Sequence, residues 1–158
     1  MRWIWIDRFV EFTPGRRAVA VKNVSLAEDH LHDHWGAFPI MPCSLMIEGM
    51  AQTAGVLVGQ ARDFKEKVIL AKVSLAEFND IVVPGDQITY RAEIDNITPE
   101  AAVTTGTVLR NGKPLGHVNL IFSHIDQNLA GVKFPKDNFV FTSQFERLVA
   151  PFREGGDG

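Results

Sequence analysis

The spacing of apolar residues divides this chain into a helical stretch and a run of strands. Between residues 43 and 61, Leu45, Met46, Met50, Ala54, Leu57, Val58 and Ala61 recur at three- and four-residue steps, the period of a helix. Apolar side chains occupy most of its circumference, so the helix is expected to be buried rather than laid on a surface. Gly49 and Gly55 each cost about 1 kcal/mol of helix propensity relative to alanine, a cost that makes sense if another element packs closely there. Elsewhere the period shortens to two. Arg16 to Val24, Val68 to Leu75, Gln87 to Ile94, Ala101 to Leu109 and Leu115 to Ile125 read as strands, and Trp3 to Phe12 as an opening strand or turn segment. Pro14-Gly15 and Pro84-Gly85-Asp86 mark turns, and Asn111-Gly112 is a hairpin signal that sets its flanking strands antiparallel. The pattern predicts an α+β chain in which a curved antiparallel sheet wraps one long central helix.

Two stretches follow neither period. Asp29 to Pro42 gathers His30, His32, Asp33 and His34 around Trp35 and Gly36, then closes with Pro39 and Pro42, and reads as a shaped loop. Loops held on a rigid scaffold are favoured places for chemistry. Beyond residue 125 the chain is irregular, but Phe134, Phe139, Phe141, Phe145, Leu148 and Phe152 predict that part of it docks on the body, while Glu154 to Gly158 is expected to fray. The domain is accordingly placed at residues 1–125, with 126–158 as a C-terminal extension. Val24-Ser25-Leu26-Ala27-Glu28 recurs as Val73-Ser74-Leu75-Ala76-Glu77, which reads as two strand ends entering similar turns rather than as a repeat architecture.

Composition narrows the function classes. A length of 158 residues suits one domain with a real core. A formal charge of -3 with no dense Lys/Arg block argues against a nucleic-acid binder. A single cysteine, Cys43, excludes an intrachain disulfide and a multi-thiolate metal site. The N-terminus lacks an uninterrupted apolar run of signal-peptide length, and Ile40 to Val58 is broken by Glu48 and Gln52, so a cytoplasmic protein without a membrane span is expected.

The polar residues inside the apolar stretch are the chemical candidates. Glu48 lies within the helix, and a buried carboxylate must be paired or have its ionisation suppressed. Gln52 is one turn on and shares its face. Imidazole suits proton abstraction near neutral pH, and the loop offers His30, His32 and His34, among which spacing does not choose. No established metal-ligand spacing accompanies them, so no metal is expected. A histidine with a glutamic acid can remove water from a β-hydroxy carbonyl compound without a metal or redox cofactor. Backbone N–H groups near Cys43 and Ser44, at the helix start, can polarise the carbonyl oxygen as enolate charge develops.

The segment Asp33-His-Trp-Gly-Ala-Phe-Pro-Ile-Met-Pro-Cys-Ser-Leu-Met-Ile-Glu-Gly-Met-Ala-Gln-Thr-Ala-Gly55 resembles the signature of the β-hydroxyacyl-[acyl-carrier-protein] dehydratases, hot dog fold enzymes of fatty acid synthesis. Their pattern runs Gly-His-Phe-Pro, then Pro-Val-Met-Pro-Gly, then Glu-Ala-Met-Ala-Gln-Ala-Gly. The catalytic histidine of that pattern falls on His34, the catalytic acid on Glu48 and the glutamine on Gln52, with no gap. Lys22 to Glu28, Phe78, Val82 to Asp86, Asn111-Gly-Lys113 and Phe122 extend the likeness over roughly residues 5–125. Departures are Asp33-His-Trp-Gly-Ala37 in place of Gly-His-Phe-Pro-Gly, Cys43 in place of a glycine whose N–H serves the substrate carbonyl, and Asn79 where a basic residue is common. The resemblance implies a hot dog fold and dehydration of (3R)-3-hydroxyacyl chains on acyl carrier protein. It also implies homodimers, in some members trimers of dimers, in which His34 of one subunit faces Glu48 of its partner across an acyl tunnel. Met41, Met46, Met50 and Phe78 are candidate tunnel walls. A hot dog thioesterase in which Glu48 activates water, and a non-catalytic acyl-binding protein, are the alternative readings.

Overall fold

The computed structural model describes residues 3–128, 131–138 and 140–153; Phe139 and residues 154–158, about which the sequence made expectations, lie outside them. Strands β1 (Arg8–Thr13) and β2 (Arg17–Asn23) are followed by a single helical turn α1 (His30–Asp33) and the long helix α2 (Cys43–Gln60). Then come β3 (Val68–Phe78), β4 (Gln87–Ile97), β5 (Ala101–Arg110) and β6 (Lys113–His124), and finally α3 (Ile125–Asn128) and α4 (Ser143–Arg153). All six strands form one antiparallel sheet in the order β1-β2-β4-β5-β6-β3. The sheet packs on α2, giving the hot dog arrangement that the sequence led us to expect.

The helix is the core. Every residue from Gly49 to Gly59 is buried, and the fully buried side chains include Met46, Met50 and Leu57 on the helix with Tyr90, Ile88 and Leu120 on the sheet. Each side chain of this size contributes about 1.5–3 kcal/mol by leaving water. Gly49 explains one of the propensity penalties, because a Cβ there would stand 2.5 Å from the Tyr90 ring. The hairpin between β5 and β6 turns at Asn111 and Gly112, both at positive φ (50° and 79°), as a tight two-residue turn requires.

Several expectations change. The loop from Asp29 contains the helical turn His30–Asp33, pinned by Leu31, which is 1% exposed. One turn is too short to display a period. Strand β3 runs on to Phe78 and β4 to Ile97, because pairing with β6 and β5 continues past the points where the sequence alternation fades. Val73 to Glu77 is therefore extended throughout and lies within β3, not at a strand end entering a turn. The C-terminal segment contains α4, whose Val149 is buried and whose Phe152 ring lies 6.1 Å from that of Phe12 in β1.

Among the described residues no strand pairs with the far side of β3, which is thus an edge, and Ile69, Leu70, Val73 and Leu75 are each 38–40% exposed along it. A long apolar edge of this kind invites another strand.

Candidate active site

Residues 48, 52 and 55 fall on one face of α2, roughly opposite Met46 and Met50, because successive residues turn by about 100°. The sheet covers the methionine face, where the Met50 thioether packs against Gly106 of β5. The Glu48 face is covered instead by the chain's two terminal segments. Gln52 stitches the first of these down: its side-chain oxygen accepts the Trp5 N–H (2.7 Å), and its amide donates to the Trp3 carbonyl (3.1 Å) and to Glu48 Oε1 (2.9 Å). The Trp3 indole N–H donates to the same Glu48 oxygen at 3.1 Å. Two donors thus fix Oε1 and orient the carboxylate, and among the described residues no donor meets Oε2.

Glu48 stands at one end of a cavity of about 300 Å³ between α2 and the start of β3. Ala51 and Gly55, then Ile69, Leu70 and Phe122, make its apolar walls; Trp3 borders it near Glu48, and Val140, Phe141 and Phe145 border it from the C-terminal segment. An apolar cavity with a few convergent polar groups is the usual form of a small-ligand site.

The three histidines have different surroundings. Buried Lys22 pairs with Glu28 (Nζ to Oε1, 3.1 Å), and the same carboxylate oxygen accepts the Ser25 N–H at 3.0 Å. His30 lies 3.7 Å from the other Glu28 oxygen and meets the Trp5 ring edge-to-face at 5.0 Å. This cluster is the footing of α1. His32 is exposed. His34 ends the helical turn, its N–H donating to the His30 carbonyl at 3.1 Å, and its side chain lines a surface recess with Asp29, His30 and Asp33. Trp35, next to it, holds a positive φ of 56°, uncommon for a bulky residue. Trp35 and Phe38 are 65% and 56% exposed.

Burial pushes the His30 imidazole below its ordinary 6.5, Lys22 adds to this, and Glu28 opposes it. The unfolded chain therefore binds more protons at this site than the folded one below about pH 6.5, so stability is full above that pH and falls as acid is added. His30→Gln is expected to flatten the decline in urea midpoint between about pH 7 and 5; an unchanged slope would overturn this assignment.

Within one chain, then, Glu48 and Gln52 meet at the cavity, and His34 does not reach its lining. Cys43 is exposed at the first turn of α2, which starts on Pro42 without a side-chain cap, so early backbone N–H groups remain as donors. Met41, Met46 and Met50 are buried in the core, and Phe78 is half-buried at the end of β3; none of these four lines the Glu48 cavity. Trp3, Glu28, Val140, Phe141 and Phe145 are site or support residues that sequence reasoning did not single out as such. The alternating Trp3-x-Trp5 pair was the one available signal for the first of them. Among the described residues, no group of three or more His, Cys, Asp or Glu is placed to hold a metal ion, and no helix is long and apolar enough to cross a membrane.

A model of the FabA-like domain matches residues 3–114, a range that takes in His34, Glu48 and Gln52. This chain belongs to the FabA-like domain family. Among its relatives is the 3-hydroxyacyl-[acyl-carrier-protein] dehydratase FabZ of Clostridium acetobutylicum, 37% identical over 118 residues, 74% of this chain and 84% of that protein. The FabZ of Ruminiclostridium cellulolyticum is 40% identical over 93 residues, 58% of this chain and 66% of that protein. Solved structures share the fold of this FabA-like chain at low identity. The dehydratase heterocomplex ApeI:P from Xenorhabdus doucetiae matches with a TM-score of 0.67 at 14% identity, covering 80% of this chain and 86% of that one. A hypothetical thioesterase with coenzyme A from Streptococcus pneumoniae TIGR4 matches at 0.60 and 10% identity, covering 73% and 83%.

Proposed function

We propose that this FabA-like protein dehydrates (3R)-3-hydroxyacyl chains, presented on acyl carrier protein, to trans-2-enoyl chains. The observation that carries the reading is the Glu48 carboxyl group held by two donors at the end of an apolar cavity, in a chain whose relatives are named as dehydratases of this substrate class.

The chemistry follows from the residues. His34 takes a proton from the carbon next to the thioester carbonyl, and negative charge moves to the carbonyl oxygen. The N–H of Cys43, at the start of α2, is suited to hold that oxygen, where donors aimed at developing charge are most effective. The carbon–oxygen bond at position three then breaks, Glu48 gives its proton to the departing hydroxyl, and water leaves. The proton taken by His34 returns to Glu48 through solvent before the next turnover. Proton transfers suffice, so no cofactor enters this scheme. Gln52 and Trp3 keep the carboxyl group in place throughout.

The acting histidine is supplied by a second copy of the chain. His34 lies outside the Glu48 cavity of its own chain, and Ile69 and Leu70 belong both to that cavity and to the free edge of β3. Pairing two chains along β3 cures the exposed edge and closes the open side of the cavity. The exposed Trp35 and Phe38 beside His34 suit a loop that seats against a neighbour. A homodimer with two shared sites is the minimal unit, and trimers of such dimers are compatible with it.

The test is mass spectrometry of a (3R)-hydroxyacyl carrier protein incubated with the enzyme. Conversion to a product lighter by one water, with the thioester intact, is expected. Release of free acid would replace this reading by a thioesterase, and binding without turnover by an acyl-binding protein.

A further inference from the structure

The C-terminal segment builds one end of the cavity, and it lies beyond the residues matched by the FabA-like model. It is anchored rather than draped. Asn138 donates to the Phe64 carbonyl (2.9 Å) and the Glu66 carbonyl (3.3 Å), while its side-chain oxygen accepts the N–H groups of Val140 and Phe141 (3.1 and 3.3 Å). This clamp drives the Phe141 ring onto Gly59, where a Cβ would collide with it, and against Phe64 at 5.0 Å. From there α4 carries Phe145 onto the cavity and continues to β1, with Arg153 over the Phe64 ring at 4.7 Å.

The cavity follows the axis of α2. Its helical wall runs from Glu48 to Val56, eight residues or about 12 Å at the rise of an α-helix. Phe141, on Gly59, stands about one turn further on. We infer that Phe141 and Phe145 act as a stop that fixes acyl chain length, so that this protein selects chains of about twelve carbons, three up to Glu48 and about ten along the wall. The inference rests on the reading of the cavity as the acyl site. An extended chain with its third carbon at Glu48 advances roughly 1.25 Å per carbon when built from 1.5 Å bonds in zigzag. Methylenes beyond the stop must displace aromatic rings, and overpacking a filled site is costly. Phe145 is half-buried and easier to replace than Phe141, which also holds the clamp to α2.

The experiment compares wild type with Phe145→Ala and Phe145→Trp in two ladders running from butyryl to palmitoyl. One ladder measures kcat/KM for 3-hydroxyacyl carrier proteins. The other measures equilibrium binding of unreactive acyl-pantetheine amides. Phe145→Ala is expected to raise the long-to-medium ratio about tenfold or more in both, since a methylene or two in an apolar pocket is worth that much. Phe145→Trp is expected to move the preference toward shorter chains. Superimposable ladders for all three proteins would overturn the stop. Loss of dehydration at every length in wild type would overturn the proposed reaction instead, and the binding ladder would still decide whether the stop exists.

Discussion

His34→Ala and Glu48→Gln are each expected to dehydrate about 10²–10⁴-fold more slowly than wild type, the usual worth of a positioned acid or base, and a one-to-one mixture is expected to recover about a quarter of wild-type activity. The recovery follows from symmetry. Random reassociation makes about half of the dimers mixed, and in each mixed dimer one site carries both substitutions while the other carries neither. Glu48→Gln keeps an oxygen that can accept from Trp3 and Gln52, so it removes the transferable proton and leaves the local scaffold standing. The measurement is dehydration rate after subunit exchange or co-expression, with each variant alone as reference. A mixture no more active than its components would place His34 and Glu48 in the same chain's site, and the shared-site arrangement would fail. The geometry argues for exchange, because His34 and Glu48 line separate depressions of the single chain.

Helix α2 was readable in the sequence because eighteen residues give a periodic signal time to accumulate. The Asn111-Gly112 hairpin was readable because its positive φ angles demand those residue types. His34, Glu48 and Gln52 were singled out by motif, yet the motif does not tell which residues surround them. Met46 and Met50 flank Glu48 at two residues' distance, which is about 200° around the helix, and this rotation alone sets them on the sheet side. Residues 51 and 55, at three- and seven-residue steps from Glu48, are the cavity wall. They are Ala and Gly, small residues that carry no chemical signal of their own. Phe141 and Phe145 were expected only to dock on the body, and neither they nor Trp3 were tied to the Glu48 site, for a different reason. They reach the cavity from the two ends of the chain, and no local period encodes a contact across 45 residues or more, as between Trp3 and Glu48. The edge position of β3 is equally invisible locally, since it depends on which strand pairs last in the sheet.

Gly116 is a second case of hidden constraint, and its replacement is expected to give the largest stability loss of any single methyl addition in the sheet. Gly116 pairs with Phe78 at the end of β3 and with Val108 of β5. A Cβ built there would stand 3.0 Å from the Glu77 carbonyl carbon and from the Phe78 Cα, with the Glu77 oxygen closer still. Those atoms are backbone, so they cannot swing aside as a side-chain tip would; the end of β3 has to move. Gly116→Ala is therefore expected to destabilise by about 2 kcal/mol or more. The smaller unfolded-state entropy of alanine returns only about 0.4–1 kcal/mol. For a chain of this length that is a fall in Tm of about 4–8 °C. Gly55→Ala is the matched control. Its Cβ would meet only the Phe122 ring edge at 3.4 Å, an ordinary contact, and helix propensity favours it by up to about 1 kcal/mol. Thermal melts of the two variants should thus move in opposite directions. Similar shifts in both would mean that β3 yields easily at its end. In that case β3 would be a poor foundation for the cavity wall at Ile69 and Leu70 and for the edge on which a second copy is placed.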